Sequence, residues 1–419
     1  MSVRDSFAEA GERYRELGVD VETAMKRLST IALSIHCWQA DDVGGFESPG
    51  AKLSGGGIQV TGNYPGKARS LEELRADLET VYSLIPGRHR LALHASYGDF
   101  GGKKVDRDEI GLEHFQSWLD WARKSEIGLD FNSTFFSHPM ADSGFTLSSK
   151  DEKVRKFWIR HAQRCRKVGA FFGETQGSPC IHNLWIPDGA KDHTIDRYGC
   201  RSLLRESLDE VYRQDFDPIH LKDSLESKLF GIGSEAFVVG SHDFYMGYAL
   251  VNGKLICLDM GHFHPTESVA DKVSALFQFV NELVFHISRP MRWDSDHVVI
   301  LNDDVQELCC ELVRSGRIEQ SYLGLDFFDA TMNRIGAYAI GARSTLKALL
   351  LALLEPREQL LKYEEEGDFF ARLALMEEFK SLPLGIIWAE HCRRMGAPPD
   401  REIIERVHRY EQEVTGKRS

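Results

Sequence analysis

Four short apolar runs in the second half of the chain each end on a side chain that binds metal ions. One leads to Glu226, one (Leu255 to Leu258) to Asp259, one (Leu283-Val284-Phe285) to His286, and one (Tyr322 to Leu325) to Asp326. Taken singly, each is what a strand end needs to cap a following helix, or a core histidine. Four in succession at matching positions call for another explanation. Three carboxylates and one imidazole form a hard, oxygen-rich set, suited to Mn²⁺ or Mg²⁺ and permissive for Zn²⁺ or Co²⁺. No cysteine is expected among these ligands, which sets a thiolate zinc site aside.

A second group follows the same strand ends. His262 stands just past Asp259, and Asp294 and Asp296 sit in Arg292-Trp293-Asp294-Ser295-Asp296-His297. An extended D-x-D places both carboxylates on one side of the backbone, within reach of one ion. His264 and His297 are weaker candidates, expected behind the ligands. Two ions with open positions would polarise a carbonyl and acidify a bound hydroxyl. Lys228, two residues beyond Glu226, is placed to meet a developing oxyanion. Trp38, His94, Phe131 and Trp185 also fall at strand tips, and flat apolar faces with a few polar groups suit a sugar.

Side chains so far apart in sequence meet only if one fold brings strand ends together. Strand-like runs at 31–38, 91–95, 127–131, 181–186, 220–226, 255–259, 283–288 and 321–326 alternate with helical patterns, the signature of a parallel sheet. Eight such strands predict an α/β fold, a (β/α)₈ TIM barrel whose C-terminal face carries the site. A ninth apolar run, Val298 to Leu301, is assigned between strands seven and eight. Residues 1–30 are expected to form additional N-terminal helices, residues 31–332 the barrel, and residues 333–419 an all-helical C-terminal extension in subunit contacts. The polar, glycine-rich stretch from Gln39 to Ala68 is long for a loop, as lids and binding loops are. Gly62 to Ala68 imitates a P-loop, but has one spacer too few and Ala68 in place of Ser or Thr.

Composition narrows the function classes. The 419 residues are 42% hydrophobic and 27% charged, with a net charge of −13. An acidic chain is poorly suited to phosphate backbones or an anionic membrane surface, so neither nucleic acid nor membrane is expected as a partner. The eight cysteines show no C-x-x-C pair and read as reduced thiols, in keeping with a cytoplasmic protein.

Long segments spread along the whole chain carry a family resemblance. They include Ser34-Ile35-His36-Cys37-Trp38-Gln39, Gly62 to Arg69, Trp185-Ile186-Pro187-Asp188-Gly189, Glu226 to Gly231, Gly261 to Glu267, Arg292 to His297, and Gly324 to Asp329. From about residue 20 to beyond residue 390 the chain resembles the bacterial L-rhamnose isomerases. The resemblance implies a homotetrameric barrel enzyme that interconverts L-rhamnose and L-rhamnulose with Mn²⁺ or a similar divalent ion, Zn²⁺ or Co²⁺ being possible substitutes. By position, Glu226, Asp259, His286 and Asp326 match the family's structural, substrate-binding metal site. His262, Asp294 and Asp296 match its catalytic metal site. Lys228, Trp185 and His94 match the sugar pocket, with His94 and Asp326 implicated in opening the pyranose ring. The chain departs from the family at Asn132 to Ser137, which bears on pocket shape. Hydrogen transfer by a metal-assisted shift and transfer through an ene-diol both fit the residues. A metal-dependent hydrolase, or another sugar isomerase on the same barrel, is the alternative reading.

Overall fold

The computed structural model describes residues 3–47, 60–231, 233–291 and 294–418, without the side chains of residues 3, 4 and 294–296. Eight strands form the sheet: β1 (Leu33–His36), β2 (His89–His94), β3 (Gly128–Asn132), β4 (Cys180–Trp185), β5 (Leu221–Glu226), β6 (Leu255–Asp259), β7 (Leu283–Ile287) and β8 (Ser321–Leu325). Each pairs in parallel with its sequence neighbours, and β8 pairs with β1, so the sheet closes as a barrel. Closure fixes which residues share a level. His94 pairs with Asn132, Trp185 with Glu226, and Asp259 with His286, so the strand tips form one ring.

Fourteen helices surround the sheet among the described residues: α1 (Val3–Glu16), α2 (Val21–Leu28), α3 (Leu71–Ser83), α4 (Gln116–Lys124), α5 (Glu152–Gln176), α6 (Arg197–Val211), α7 (His242–Asn252), α8 (Ala270–Leu276), α9 (Asp303–Arg314), α10 (Arg334–Leu353), α11 (Arg357–Glu365), α12 (Phe369–Lys380), α13 (Leu384–Arg394) and α14 (Asp400–Glu413). Gly18 follows α1 at φ +78°, a left-handed conformation that glycine adopts without strain. At the start of α3 the Ser70 side chain accepts from the Glu73 N–H, as a capping residue does. The Glu73 carboxylate reaches back one residue further than the capping box requires, to the Arg69 N–H at 2.8 Å.

The sequence gives no warning of α7. Its residues are apolar on several sides and include Gly247, so no stripe stands out, yet Tyr245, Tyr248 and Ala249 bury against the barrel. The run at 298–301 is irregular backbone, in the β7–β8 connection where it was expected. α10 packs on β1 and α9, in the position of the eighth barrel helix, and Tyr338 donates to the His36 carbonyl at 2.7 Å.

Of the glycine-rich stretch, residues 48–59 lie outside the described residues. Gly62 bridges to Ala330, where a Cβ would stand 2.2 Å from the Ala330 carbonyl oxygen. Gly66 is pressed in the same way against Thr415. The P-loop look-alike is thus a docking strip for the β8–α10 loop and the chain's C-terminal turn.

Candidate active site

Alternation along each strand decides which side chains enter the barrel mouth. Glu226, Asp259 and His286 stand at or next to the ends of β5, β6 and β7, and Asp326 directly follows β8. One donor atom from each lies within 4.8 Å of all the others. Glu226 and Asp259 are 2% exposed and His286 7%, so the charges are largely withdrawn from water. His286 Nδ1 lies 3.1 Å from Glu226 Oε2 and 3.3 Å from Asp326 Oδ2. His262 joins from the turn after β6, its Nδ1 3.1 Å from Glu226 Oε1.

The surroundings orient these oxygens. Asn183 on β4 donates to Glu226 Oε2 at 2.5 Å, Trp38 Nε1 donates to Asp326 Oδ1 at 3.0 Å, and Asp259 Oδ1 accepts from the Gly261 N–H at 2.6 Å and from Ser288 Oγ at 3.1 Å. Such partners set the direction in which a ligand presents its lone pair.

Electrostatics point to a missing positive charge. Burial pushes the Asp259 carboxyl up to about 7; His262 pulls against that, while the carboxylates of Glu226 and Asp326 reinforce it. Burial would also raise Glu226, but the His286 charge and the close ring nitrogens of His262 and His286 hold it well below the carboxylate range. Burial would lower His286, yet Cys257, Glu226 and Asp326 raise it well above its ordinary value. Three converging carboxylates thus rely on one or two imidazoles for counter-charge. A divalent cation is a better fit to this donor set, since it satisfies all of the oxygens at once.

Cysteine is closer than the sequence implied. Cys257 Sγ, one layer below Asp259, lies within 4.8 Å of donor atoms of Glu226 and His286. Burial pushes its thiol up to about 12, so it is a neutral neighbour of the cluster. Asp294 belongs to a strand, Asp294–His297, that pairs antiparallel with Arg289–Met291 just after β7. The side chains of Asp294 and Asp296 are outside the described residues.

Above the cluster runs a line of rings. Trp38 meets His94 edge-on at 4.8 Å, His94 meets Phe136 at 5.6 Å, Phe136 meets Trp185 at 5.7 Å, and Trp185 stacks on His262 at 6.3 Å and 19°. Lys228 is 7% exposed, and its Nζ sits 4.7 Å above the Trp185 ring. Burial pushes the His94 imidazole down to about 4 against the upward pull of Asp326, so it is neutral near pH 7. Its Nδ1 is 3.0 Å from Thr134 Oγ1.

The loop between β3 and α5, on that side of the wall, is clamped by a buried arginine. Arg107, 2% exposed, sends Nη1 to the carbonyls of Thr134 (2.8 Å) and Phe136 and Nη2 to that of Ser137 (3.2 Å). Glu47 balances it, 3.0 Å from Nε.

Phe131 is not brought to the site. On β3 the residues facing inward are Asp130 and Asn132, so Phe131 points the other way, fully buried. Its ring packs edge-on against Phe115 (4.9 Å) and Phe172 (5.7 Å), between the barrel and its helices. Phe136 takes the wall position that Phe131 was expected to fill. Phe136 and Thr134 lie in a loop without periodicity; the departure from the family at Asn132 to Ser137 marks the segment but not which of its side chains face the mouth. Asn183 could have been found, since it lies two residues before Trp185 on the same strand face.

Comparison with known proteins identifies the family. A family model described as L-rhamnose isomerase matches residues 1–418. An L-rhamnose isomerase of Rhodopirellula baltica is 52% identical over 418 residues, covering 100% of this chain and 97% of that protein. One from Bacteroides thetaiotaomicron is 52% identical over 416 residues, 99% of each. A solved L-ribulose 3-epimerase overlays 79% of this chain and 97% of its own, with 11% identity and a TM-score of 0.48. Matched end to end at this identity, the chain belongs to the L-rhamnose isomerase family and is a sugar aldose–ketose isomerase.

Proposed function

We propose that the chain interconverts L-rhamnose and L-rhamnulose at the C-terminal mouth of the barrel, using Mn²⁺ held by two ligand groups. Glu226, Asp259, His286 and Asp326 form the first; His262, Asp294 and Asp296 form the second, and Zn²⁺ or Co²⁺ can substitute. The observation that carries the reading is the convergence of three carboxylates and an imidazole within 4.8 Å beneath a wall of rings. When bound, a divalent cation supplies Lewis acidity toward neighbouring sugar oxygens.

The chain's own residues do the positioning and move the protons. Trp38, Phe136 and Trp185 offer apolar faces to the sugar's C–H surfaces and exclude water from the reacting carbons. His94, neutral at working pH, accepts the proton of the C1 hydroxyl as the pyranose opens, and Asp326 works with it on the ring oxygen. Lys228 holds a fixed positive charge above Trp185, where it stabilises oxygen at C1 or C2 as that atom gains electron density. Hydrogen then passes between C2 and C1, either directly or through an ene-diol with a carboxylate as base. Absence of solvent deuterium at C1 would select the direct path.

We also place the enzyme in the cytoplasm as a homotetramer, with α11 to α14 in the subunit contacts. Phe369, Phe370, Leu373 and Ile404 support this, since each is more than half exposed in the single chain. Removing residues after Glu355 and finding the same number of chains per particle by sedimentation equilibrium would overturn it.

The decisive test of the activity is metal-stripped protein on L-rhamnose, with and without added Mn²⁺, for the native sequence and Asp294→Ala. Ketose formation that needs the metal and collapses in the variant is the expected result. Turnover that survives chelation would sink the reading.

A further inference from the structure

A (β/α)₈ barrel is ordinarily filled by layers of branched apolar side chains. Here the filling is one-sided. Ile181, Cys257 and Val284, with Leu255 and Tyr322 against them, form a small apolar cluster inside the barrel. Elsewhere the layer beneath the donor cluster is built from Ser34, Ala92 and Gly324, and a cavity of about 490 Å³ runs along them.

The cavity spans the barrel. Asn132, Asn183 and His286 line it at the level of the cluster, while Thr30, Ser178 and Glu319 line it near the N-terminal ends of β1, β4 and β8. A Cβ on Gly324 would stand 3.3 Å from the His286 ring, so a glycine keeps this passage open beside a proposed ligand.

Its chemistry selects what fills it. The charges inside are already matched: Arg90 holds Asp130 through Nε (2.9 Å) and Nη2 (2.8 Å), and Asp130 also accepts from Ser34 Oγ and the Ile181 N–H. An ion would find no open counter-charge there. Uncharged polar side chains also line it, among them Thr30, Ser34, Asn132, Ser178 and Asn183, interleaved with apolar ones. A space this roomy with such groups in it holds water, with room for on the order of ten molecules.

We propose that this cavity is a water channel, a second access through which water reaches and leaves the underside of the donor cluster while a sugar fills the C-terminal mouth. Asn183 stands at its inner end and donates to Glu226 with its amide nitrogen, which ties the cavity wall to the donor cluster. The channel itself rests on the cavity; only its use during turnover rests on the sugar reading given above.

Two measurements on the full-length protein test it. The first is a high-resolution crystal structure of the native sequence and of Ala92→Leu, with Ala92→Phe as a bulkier second variant. Ordered waters from the Thr30 end to Asn183, interrupted in the variants, are expected; a dry cavity or a bound organic molecule overturns the proposal. The second is the water-proton relaxation of Mn²⁺-loaded protein saturated with L-rhamnitol, which would stopper the sugar mouth. The native protein should keep at least half of its sugar-free relaxivity and Ala92→Leu should lose it by twofold or more. Equal values in the two saturated proteins overturn the channel's role in turnover. Failure to bind Mn²⁺ or the polyol counts against the proposed function, and the crystallographic result then decides the channel on its own.

Discussion

The two halves of the barrel mouth are made of different materials. From β5 to β8 the tips carry Glu226, Asp259, His286 and, just past β8, Asp326, all crowded about one point. Around β1 to β4 the mouth is edged by Trp38, His94, Asn132 and Trp185, with Phe136 added from a loop. One half concentrates charge and the other supplies flat surfaces. The interior below is uneven as well: the apolar cluster around Cys257 and Val284 fills part of it, and an open cavity lies directly against that cluster. A sugar isomerase needs both: an electrophilic side that grips oxygens, and a shaped side that fixes which carbons face it.

If the halves are separable, damage to each should have a different signature. The largest effect is expected on the charged half. Glu226→Ala removes a carboxylate that His262, His286 and Asn183 all contact, and should abolish stoichiometric metal binding and, with it, measurable turnover. Asn183→Ala, which leaves every ligand in place, should weaken metal affinity by about 10–100-fold. Both are read by calorimetric metal titration, and undiminished affinity in Asn183→Ala would show that its bond to Glu226 does not orient the ligand.

A smaller and sharper contrast lies on the aromatic half. Phe136→Ala should raise KM for the sugar by up to about tenfold with little change in thermal midpoint. Phe131→Ala should do the opposite, costing about 3–5 kcal/mol of stability through an empty space between β3 and its helices while leaving KM alone. A KM change confined to Phe131→Ala would mean that the wall has been misassigned.

The last contrast is in pH dependence beside the mouth. Asp41 is buried in the loop after β1, accepting from Tyr97 Oη at 2.6 Å and the Gly45 N–H at 2.7 Å. Burial pushes its carboxyl up to about 7 in spite of those bonds. Since the folded value lies above the unfolded one of about 3.9, its contribution is complete below pH 4 and is lost as pH rises through 7. The thermal midpoint of the native protein relative to Asp41→Asn should therefore fall between pH 5 and pH 8. Parallel pH profiles for the two proteins would contradict that.

Most of the charged half could be read from the chain because it sits on strands. Each member of the cluster ends an apolar run, and a parallel barrel sends all such ends to one face. The aromatic half was only partly legible. Trp38, His94 and Trp185 stand at strand tips and were found, whereas Phe136 lies in a loop whose course is set by tertiary contacts. Phe131 was misplaced by one residue of parity: Asp130 and Asn132 bracket it, and two polar residues at that spacing mark the inward face. α7 was hidden because its apolar residues do not confine themselves to one side.

The Arg107 clamp has a consequence for how this pocket can change over time. A single guanidinium holds the backbone carbonyls of residues 134, 136 and 137, while the side chains of Thr134 and Phe136 meet the ring wall of the mouth. Course and content of the loop are thereby uncoupled. Replacements at 134 or 136 can alter which sugars fit without re-routing the chain, because the anchor grips only main-chain atoms. Arg107→Lys would discard the fork that makes three such grips possible, and would loosen every ring contact of Phe136 together. The inheritable flexibility of substrate range resides in the loop's side chains, and its safeguard in a residue that never meets the sugar.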